Sequence, residues 1–104
     1  MAKRILLVEN EKNLARFVSL ELQKEGFLVD LAETGQDGLA LAKDVDYDLL
    51  LLNYDLQDMT ASDFAQQLSL IKPASVIIVL ASREEIAEQR EAIQHFAVSY
   101  VVKP

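Results

Sequence analysis

Asp48-Leu49-Leu50-Leu51-Leu52-Asn53 decides the fold. Four consecutive leucines are too short a run for a free-standing helix and too apolar for a surface segment, so they read as a strand buried on both faces. Such a strand belongs in the middle of a parallel sheet. Leucine is a modest strand former, but burial overrides that preference. Working outward, Arg4-Ile5-Leu6-Leu7-Val8 and Ser75-Val76-Ile77-Ile78-Val79-Leu80 are two more apolar runs rich in branched residues, and residues 27–32 and 100–102 supply shorter strands.

Helical periodicity fills the intervals. Over residues 12–25, Leu14, Phe17, Val18, Leu20 and Leu22 recur at three- and four-residue spacing among charges, and Gly26 follows where a helix end favours positive φ. Thr34 caps a helix running through Leu39 and Leu41 to about residue 43. Thr60 caps one carrying Phe64, Leu68 and Ile71, closed by Pro73, and Ser82 caps one running through Ile86 and Ile93 to His95. The order is strand then helix, five times, without the last helix. Strict alternation with short connections predicts an α/β fold: an open parallel five-stranded sheet with helices on both faces and right-handed crossovers. A (β/α)₈ barrel needs about 250 residues and is excluded.

The 104 residues make one domain, 1–104. Hydrophobic residues are 51% against 26% charged, enough for one core and too apolar for a disordered tail. Cysteine is absent, which excludes disulfides, thiolate metal sites and cysteine nucleophiles and fits a reducing cytoplasm. His95 is the single histidine, so zinc sites built from several imidazoles fall as well. Its place in the last turn of a helix suits a structural role. The formal charge of −7 opposes direct binding to a nucleic-acid backbone. No apolar run approaches the roughly 18 residues of a membrane span, and no signal peptide opens the chain. A cytoplasmic location without membrane attachment is expected.

In open α/β sheets the ligand crevice lies beyond the carboxyl ends of the strands. That singles out Glu9, Asn10, Asn53 to Asp55, Leu80 to Ser82, and Lys103. Glu9, Asn10, Glu11, Asp55 and Asp58 can supply oxygen ligands to a hard cation, or simply complement a helix dipole. Lys103 can answer that acidic cluster or stand as a solvated residue. No glycine-rich loop follows a strand, so neither a nucleotide cradle nor a flavin phosphate site is present.

Ile5-Leu6-Leu7-Val8-Glu9-Asn10-Glu11, the 48–53 strand, the 76–81 strand and Tyr100-Val101-Val102-Lys103-Pro104 together resemble the receiver domain of bacterial two-component response regulators. The resemblance spans the chain and implies a flavodoxin-like (βα)₅ fold. In that family two acidic residues after the first strand hold magnesium, and an aspartate ending the third accepts a phosphoryl group from a histidine kinase. A threonine or serine ends the fourth strand, and a lysine followed by proline ends the fifth. The family's final helix follows Lys-Pro, so the faces it would cover are expected to stand partly exposed. The likeness is greater to regulators with a winged-helix DNA-binding output than to stand-alone receivers.

The departures carry the functional reading. Asn53 stands at the phosphoacceptor position, Glu9-Asn10 replaces the acid pair, and Leu80 is assigned to the hydroxyl position. An amide is a poor nucleophile toward phosphorus, and two lost charges weaken any Mg²⁺ site, leaving Glu9 and Asp55 as weak metal candidates. Lys103 and Tyr100 match the family's lysine and switch aromatic. Leu80 is expected to lock Tyr100 by packing, and Lys103 to pair with Glu9 or Asp55. The expected function is a non-enzymatic, phosphorylation-independent receiver without a cofactor. It would act through a protein partner or self-association and control a transcriptional output, with a histidine kinase as the partner of its lineage. The alternatives are a phosphoacceptor active through Asp55 or a mutated Asn53, and a pseudo-receiver that senses a small molecule.

Overall fold

The computed structural model describes residues 2–104. Five strands alternate with four helices: β1 (Arg4–Val8), α1 (Lys12–Lys24), β2 (Leu28–Ala32), α2 (Gly35–Asp44), β3 (Leu49–Asn53), α3 (Ala61–Ile71), β4 (Ile77–Ala81), α4 (Arg83–Gln94) and β5 (Ser99–Val102). All pairings are parallel, in the order β2-β1-β3-β4-β5. This is the flavodoxin-like doubly wound arrangement, with the four-leucine strand at its centre.

The hydroxyl caps form where the sequence places them. Thr34 accepts from the Asp37 N–H, and Thr60 and Ser82 each build a capping box, with Asp63 and Glu85 respectively. Element ends shift by a residue or two. The fourth strand starts at Ile77 rather than Ser75 and runs on to Ala81, and α4 ends at Gln94 with His95 as its cap.

Alternation along the strands divides the core in two. Leu6, Val8, Leu50, Leu52, Val79 and Ala81 face α2, α3 and α4, where Phe64, Leu68, Ile86 and Ile93 complete the larger cluster. Ile5, Leu7, Leu51 and Leu80 face α1 and meet Ala15, Val18 and Leu22. Two residues of the α1 periodicity therefore lie outside the buried stripe: Phe17 and Leu20 are exposed. The stripe that packs runs Ala15-Val18-Ser19-Leu22, and the small Ala15 and Ser19 let the helix approach the sheet. Among the described residues α1 is the only helix on its face. It lies over β1 and β2, so Val101 on β5 remains 48% exposed, in keeping with the expectation of an incompletely covered sheet.

Gly38 shows how tightly the other layer packs. A Cβ there would lie 2.8 Å from Val8 Cγ2 and 3.0 Å from Phe64 Cε2, so the helix crosses β1 at a distance that only glycine allows.

Candidate functional site

The parallel register brings the ends of β1 and β3 side by side, since Val8 pairs with Leu52 and the next residues are Glu9 and Asn53. Both polar side chains are buried, Glu9 at 1% exposure and Asn53 at 4%. The Asn53 amide resolves this burial by donating from Nδ2 to Glu9 Oε2 at 3.1 Å and to Asn10 Oδ1 at 2.8 Å. Both protons of one amide are thus used to join β3 to the turn after β1. Glu9 Oε2 also accepts from the Glu11 N–H at 2.9 Å. Glu11 in turn caps α1 by accepting from the N–H groups of Asn13 and Leu14. Two oxygens, Glu9 Oε1 and Asn53 Oδ1, are buried without a donor.

Asp55 lies apart from this cluster in function. It is exposed, its Oδ1 accepts from the Gln57 N–H at 3.1 Å, and its backbone bridges to Thr60. This turn holds Gln57 at φ 70°, in the left-handed region. Asp58 reaches across to α2 and accepts from the N–H groups of Gly35 at 2.9 Å and Gln36 at 3.0 Å. Burial pushes the Asp58 carboxyl up, but these two donors and its own N–H outweigh it and hold the group below its ordinary value. Burial, followed by the carboxylates of Glu85, Asp55 and Glu88, holds the Tyr54 phenol above its ordinary value. The β3 end of the site is therefore acid-rimmed.

Two expectations are corrected here. Lys103 pairs with neither Glu9 nor Asp55. Its Nζ stands 4.0 Å from Glu85 Oε1, the same oxygen that accepts from the Ser82 N–H in the α4 capping box. The capping box supplies a fixed carboxylate next to β5, and the lysine takes it. The Ser-x-x-Glu spacing was the sequence signal for Glu85. Leu80, for its part, does not adjoin Tyr100. It is 3% exposed and packs on the α1 face with Ile5, Leu7, Ala15 and Leu51, whereas Tyr100 belongs to the opposite cluster with Val79, Ala81 and Ile86. The residue that ends β4 on the Tyr100 face is Ala81, fully buried. Period-2 alternation explains the slip, because a one-residue error in a strand end changes the face.

Among the described residues no three His, Cys, Asp or Glu side chains converge as a metal cluster, and no helix is long and apolar enough to cross a membrane. A cavity of about 490 Å³ lies at the other end of the sheet between the ends of α3 and α4 and includes His95 and Phe96. It shares no residue with the strand-end cluster.

Comparison with known proteins agrees with this geometry. Residues 5–104 match the family model of the response regulator receiver domain. The chain is 35% identical over 100 residues to the response regulator ArlR of Staphylococcus epidermidis, covering 96% of this chain and 45% of that protein. It is 35% identical over 101 residues to the cell cycle transcriptional regulator CtrA of Caulobacter vibrioides, covering 97% and 44%. The chain thus spans about half the length of these relatives. Among solved structures, it superposes at a TM-score of 0.92 and 58% identity on a member of a family of redox sensors in the streptococci evolved from two-component response regulators, over 99% of this chain and 45% of that one. The inactive form of the regulatory domain of the repressor of iron transport regulator (RitR) gives the same score and identity, over 99% and 84%. The chain belongs to the response regulator receiver domains.

Proposed function

We propose that this receiver has left phosphotransfer and regulates by protein contact, as the N-terminal part of a cytoplasmic transcription regulator with a winged-helix output. The observation that carries the reading is the pair of hydrogen bonds from Asn53 Nδ2 to Glu9 and Asn10. A phosphoacceptor needs a carboxylate there, with acidic oxygens gathered around a divalent ion. The residues present do not fit that ion. A donor group faces the two oxygens that would ligate it, and Glu9 alone brings a charge to this cluster. Asn53 instead takes over the mechanical part of the metal's work, tying the β1 turn to β3 with an amide that is always present.

Two further features support the reading. Ala81 ends β4 without a hydroxyl on the Tyr100 side, so no side chain there can follow a phosphoryl group. Lys103 is engaged by Glu85. The relatives ArlR and CtrA are a response regulator and a transcriptional regulator, which favours a transcriptional output. The likeness to a streptococcal redox sensor evolved from two-component response regulators favours an origin in two-component systems. These 104 residues hold no cysteine, so they contain no thiol to oxidise.

The test is intact-mass spectrometry after incubation with acetyl phosphate and Mg²⁺. The expected result is an unchanged mass. A gain equal to one phosphoryl group would overturn the proposal, and mapping that group to Asp55 would establish the alternative acceptor.

A further inference from the structure

The sheet has two edges, β2 and β5, and β2 is the one left open. Its residues pair one to one with β1, from Arg4 with Leu28 to Val8 with Ala32, so it carries no bulge. The Leu28 N–H donates to the Lys3 carbonyl at 2.9 Å, and the Glu9 N–H donates to the Ala32 carbonyl at 3.0 Å. Leu28 and Ala32 therefore turn their peptide groups toward β1. By alternation Val29 and Leu31 turn theirs outward, where no strand receives them among the described residues.

Sheet edges are normally blunted by lysine, by proline, by a bulge or by a charge held at the rim. Leu28-Val29-Asp30-Leu31-Ala32 has none of the first three. Its one charge is withdrawn from the rim: Asp30 Oδ2 accepts from the Tyr47 hydroxyl at 2.7 Å and from Arg4 Nε at 3.3 Å. Arg4 belongs to β1 and Tyr47 to the turn before β3, both inward of the edge. The leucines do the reverse. Leu28 is 55% exposed and Leu31 50%, on opposite faces of the strand, so neither α1 nor α2 reaches over the edge. At the other edge, β5 runs directly into Lys103 and Pro104, two residues that blunt such an edge.

Extended backbone with free outward peptide groups and a half-exposed leucine on each face is complementary to another strand of the same description. A second copy of this chain supplies one. We propose that two copies associate through β2, pairing antiparallel about a two-fold axis at Val29 to form one continuous sheet. With Val29 opposite its own counterpart, Leu31 of each copy lies opposite Phe27 of the other, and all of these side chains stand on the α1 face. An axis at Asp30 would set two carboxylates directly opposite one another, which disfavours that register. Lys12 and Arg16 flank Leu31, whereas the C-terminal end of α1 adjoins Phe27 through the bond from the Phe27 N–H to the Leu22 carbonyl. The two-fold therefore sets the basic end of each α1 across from the Glu25 end of the other, and like charges do not meet. The Glu9 N–H, bonded to Ala32, connects the paired strand to the residue that holds Asn53. The pairing deepens the reading of a receiver that regulates by protein contact, on which it rests for its regulatory meaning alone.

The experiment is sedimentation equilibrium of the protein from micromolar to millimolar concentration, with amide hydrogen exchange followed at both ends of that range. The expected result is a reversible monomer–dimer equilibrium in which exchange at Val29 and Leu31 slows by about tenfold or more on dimerisation. Leu31→Lys, at a half-exposed position, should leave the melting temperature of the dilute protein unchanged and weaken dimerisation by about tenfold or more. Leu28→Lys carries the same test should the first variant fail to fold. The proposal is overturned if the protein stays monomeric at millimolar concentration, if a dimer forms without slower exchange at Val29 and Leu31, or if the folded lysine variant dimerises like the wild type. None of these measurements involves a phosphoryl donor, so failure here is distinct from a mass gain with acetyl phosphate.

Discussion

Replacing Asn53 by Asp is the most direct probe of the site, because it exchanges one NH₂ for one oxygen at a point where only donors are wanted. In the wild type Nδ2 is 3.1 Å from Glu9 Oε2 and 2.8 Å from Asn10 Oδ1. The first bond is to a carboxylate and contributes about 1.5–3 kcal/mol, the second about 0.5–1.5 kcal/mol. A carboxylate in the same rotamer makes neither bond. It also sets a negative oxygen against Glu9 at that same 3.1 Å, a repulsion of about 5 kcal/mol at an effective dielectric constant near 20 before any relaxation. Rotation of the new side chain and sharing of a proton will relieve part of it. The expected destabilisation of Asn53→Asp at neutral pH without divalent ions is therefore about 3 kcal/mol or more, which lowers the melting temperature of a domain this size by roughly 12–24 °C.

Asn53→Ala removes both bonds without adding charge and should lose only about 2 kcal/mol, so the difference between the two variants isolates the repulsion. The sign with pH follows from the pairing. Beside Glu9 the new carboxyl is raised above its unfolded value, so the penalty is present at neutral pH and fades as the pH falls through that raised value. Urea unfolding followed by far-ultraviolet circular dichroism, in EDTA, at neutral and mildly acidic pH, measures all of this. If Asn53→Asp is as stable as the wild type at neutral pH, the amide is not the tie between β1 and β3, and the functional reading built on it fails.

Millimolar Mg²⁺ should leave the melting temperature and tyrosine fluorescence of the wild type unchanged, and a saturable sub-millimolar shift would contradict this. Gly38→Ala should cost about 1–2 kcal/mol despite the better helix propensity of alanine, because the new methyl meets Val8 and Phe64 in the core; equal or higher stability in urea would count against that contact. Asp58→Asn should lose about 1 kcal/mol at neutral pH by weakening the cap on α2. Since the folded Asp58 carboxyl is held low, its contribution is present above the ordinary carboxylate value and is lost as the pH falls through the lowered one. The wild type and the variant should thus converge in stability in strong acid, and parallel pH profiles would refute the assignment.

The sheet was legible because its three inner strands, β1, β3 and β4, are short, largely buried apolar runs, and the helices were legible because Thr34, Thr60 and Ser82 announce themselves as caps. The gathering of Glu9, Asn10 and Asn53 followed from the same topology. The site's finer order was not legible. Which face of β4 a residue occupies depends on a single position of register, and the strand's apolar run gives no alternation from which to read it: Ile77 to Ala81 is apolar at every step. Leu80 was therefore assigned where Ala81 stands. Lys103 was assigned to the Glu9 cluster by its place at the carboxyl end of a strand, but a carboxylate already fixed by a helix cap is a better-placed partner than one tied up by an amide. The Asp58 cap on α2 joins residues 23 apart in sequence, and no local pattern encodes it.

These corrections sharpen the functional reading. A phosphorylated receiver would need an unbroken chain of polar contacts from acceptor to surface: a carboxylate on β3, a hydroxyl on β4 and an aromatic on β5 that follows it. In this chain Asn53 spends its donors on Glu9 and Asn10, and Ala81 offers Tyr100 only a methyl group. Packing between Leu80 and Tyr100 cannot lock the switch, since the sheet itself stands between them. What holds Tyr100 is its own cluster on the α4 side, independent of anything at Asn53. The proposed receiver is therefore uncoupled at the β3–β4 step rather than jammed at the β4–β5 step. An uncoupled receiver can still change state, but only through an agent that binds its two states with different affinity. The bonds such an agent must bias are those through Glu9, or the contacts of Tyr100 with Ile86 and Ala81, and not the Asn53 amide alone.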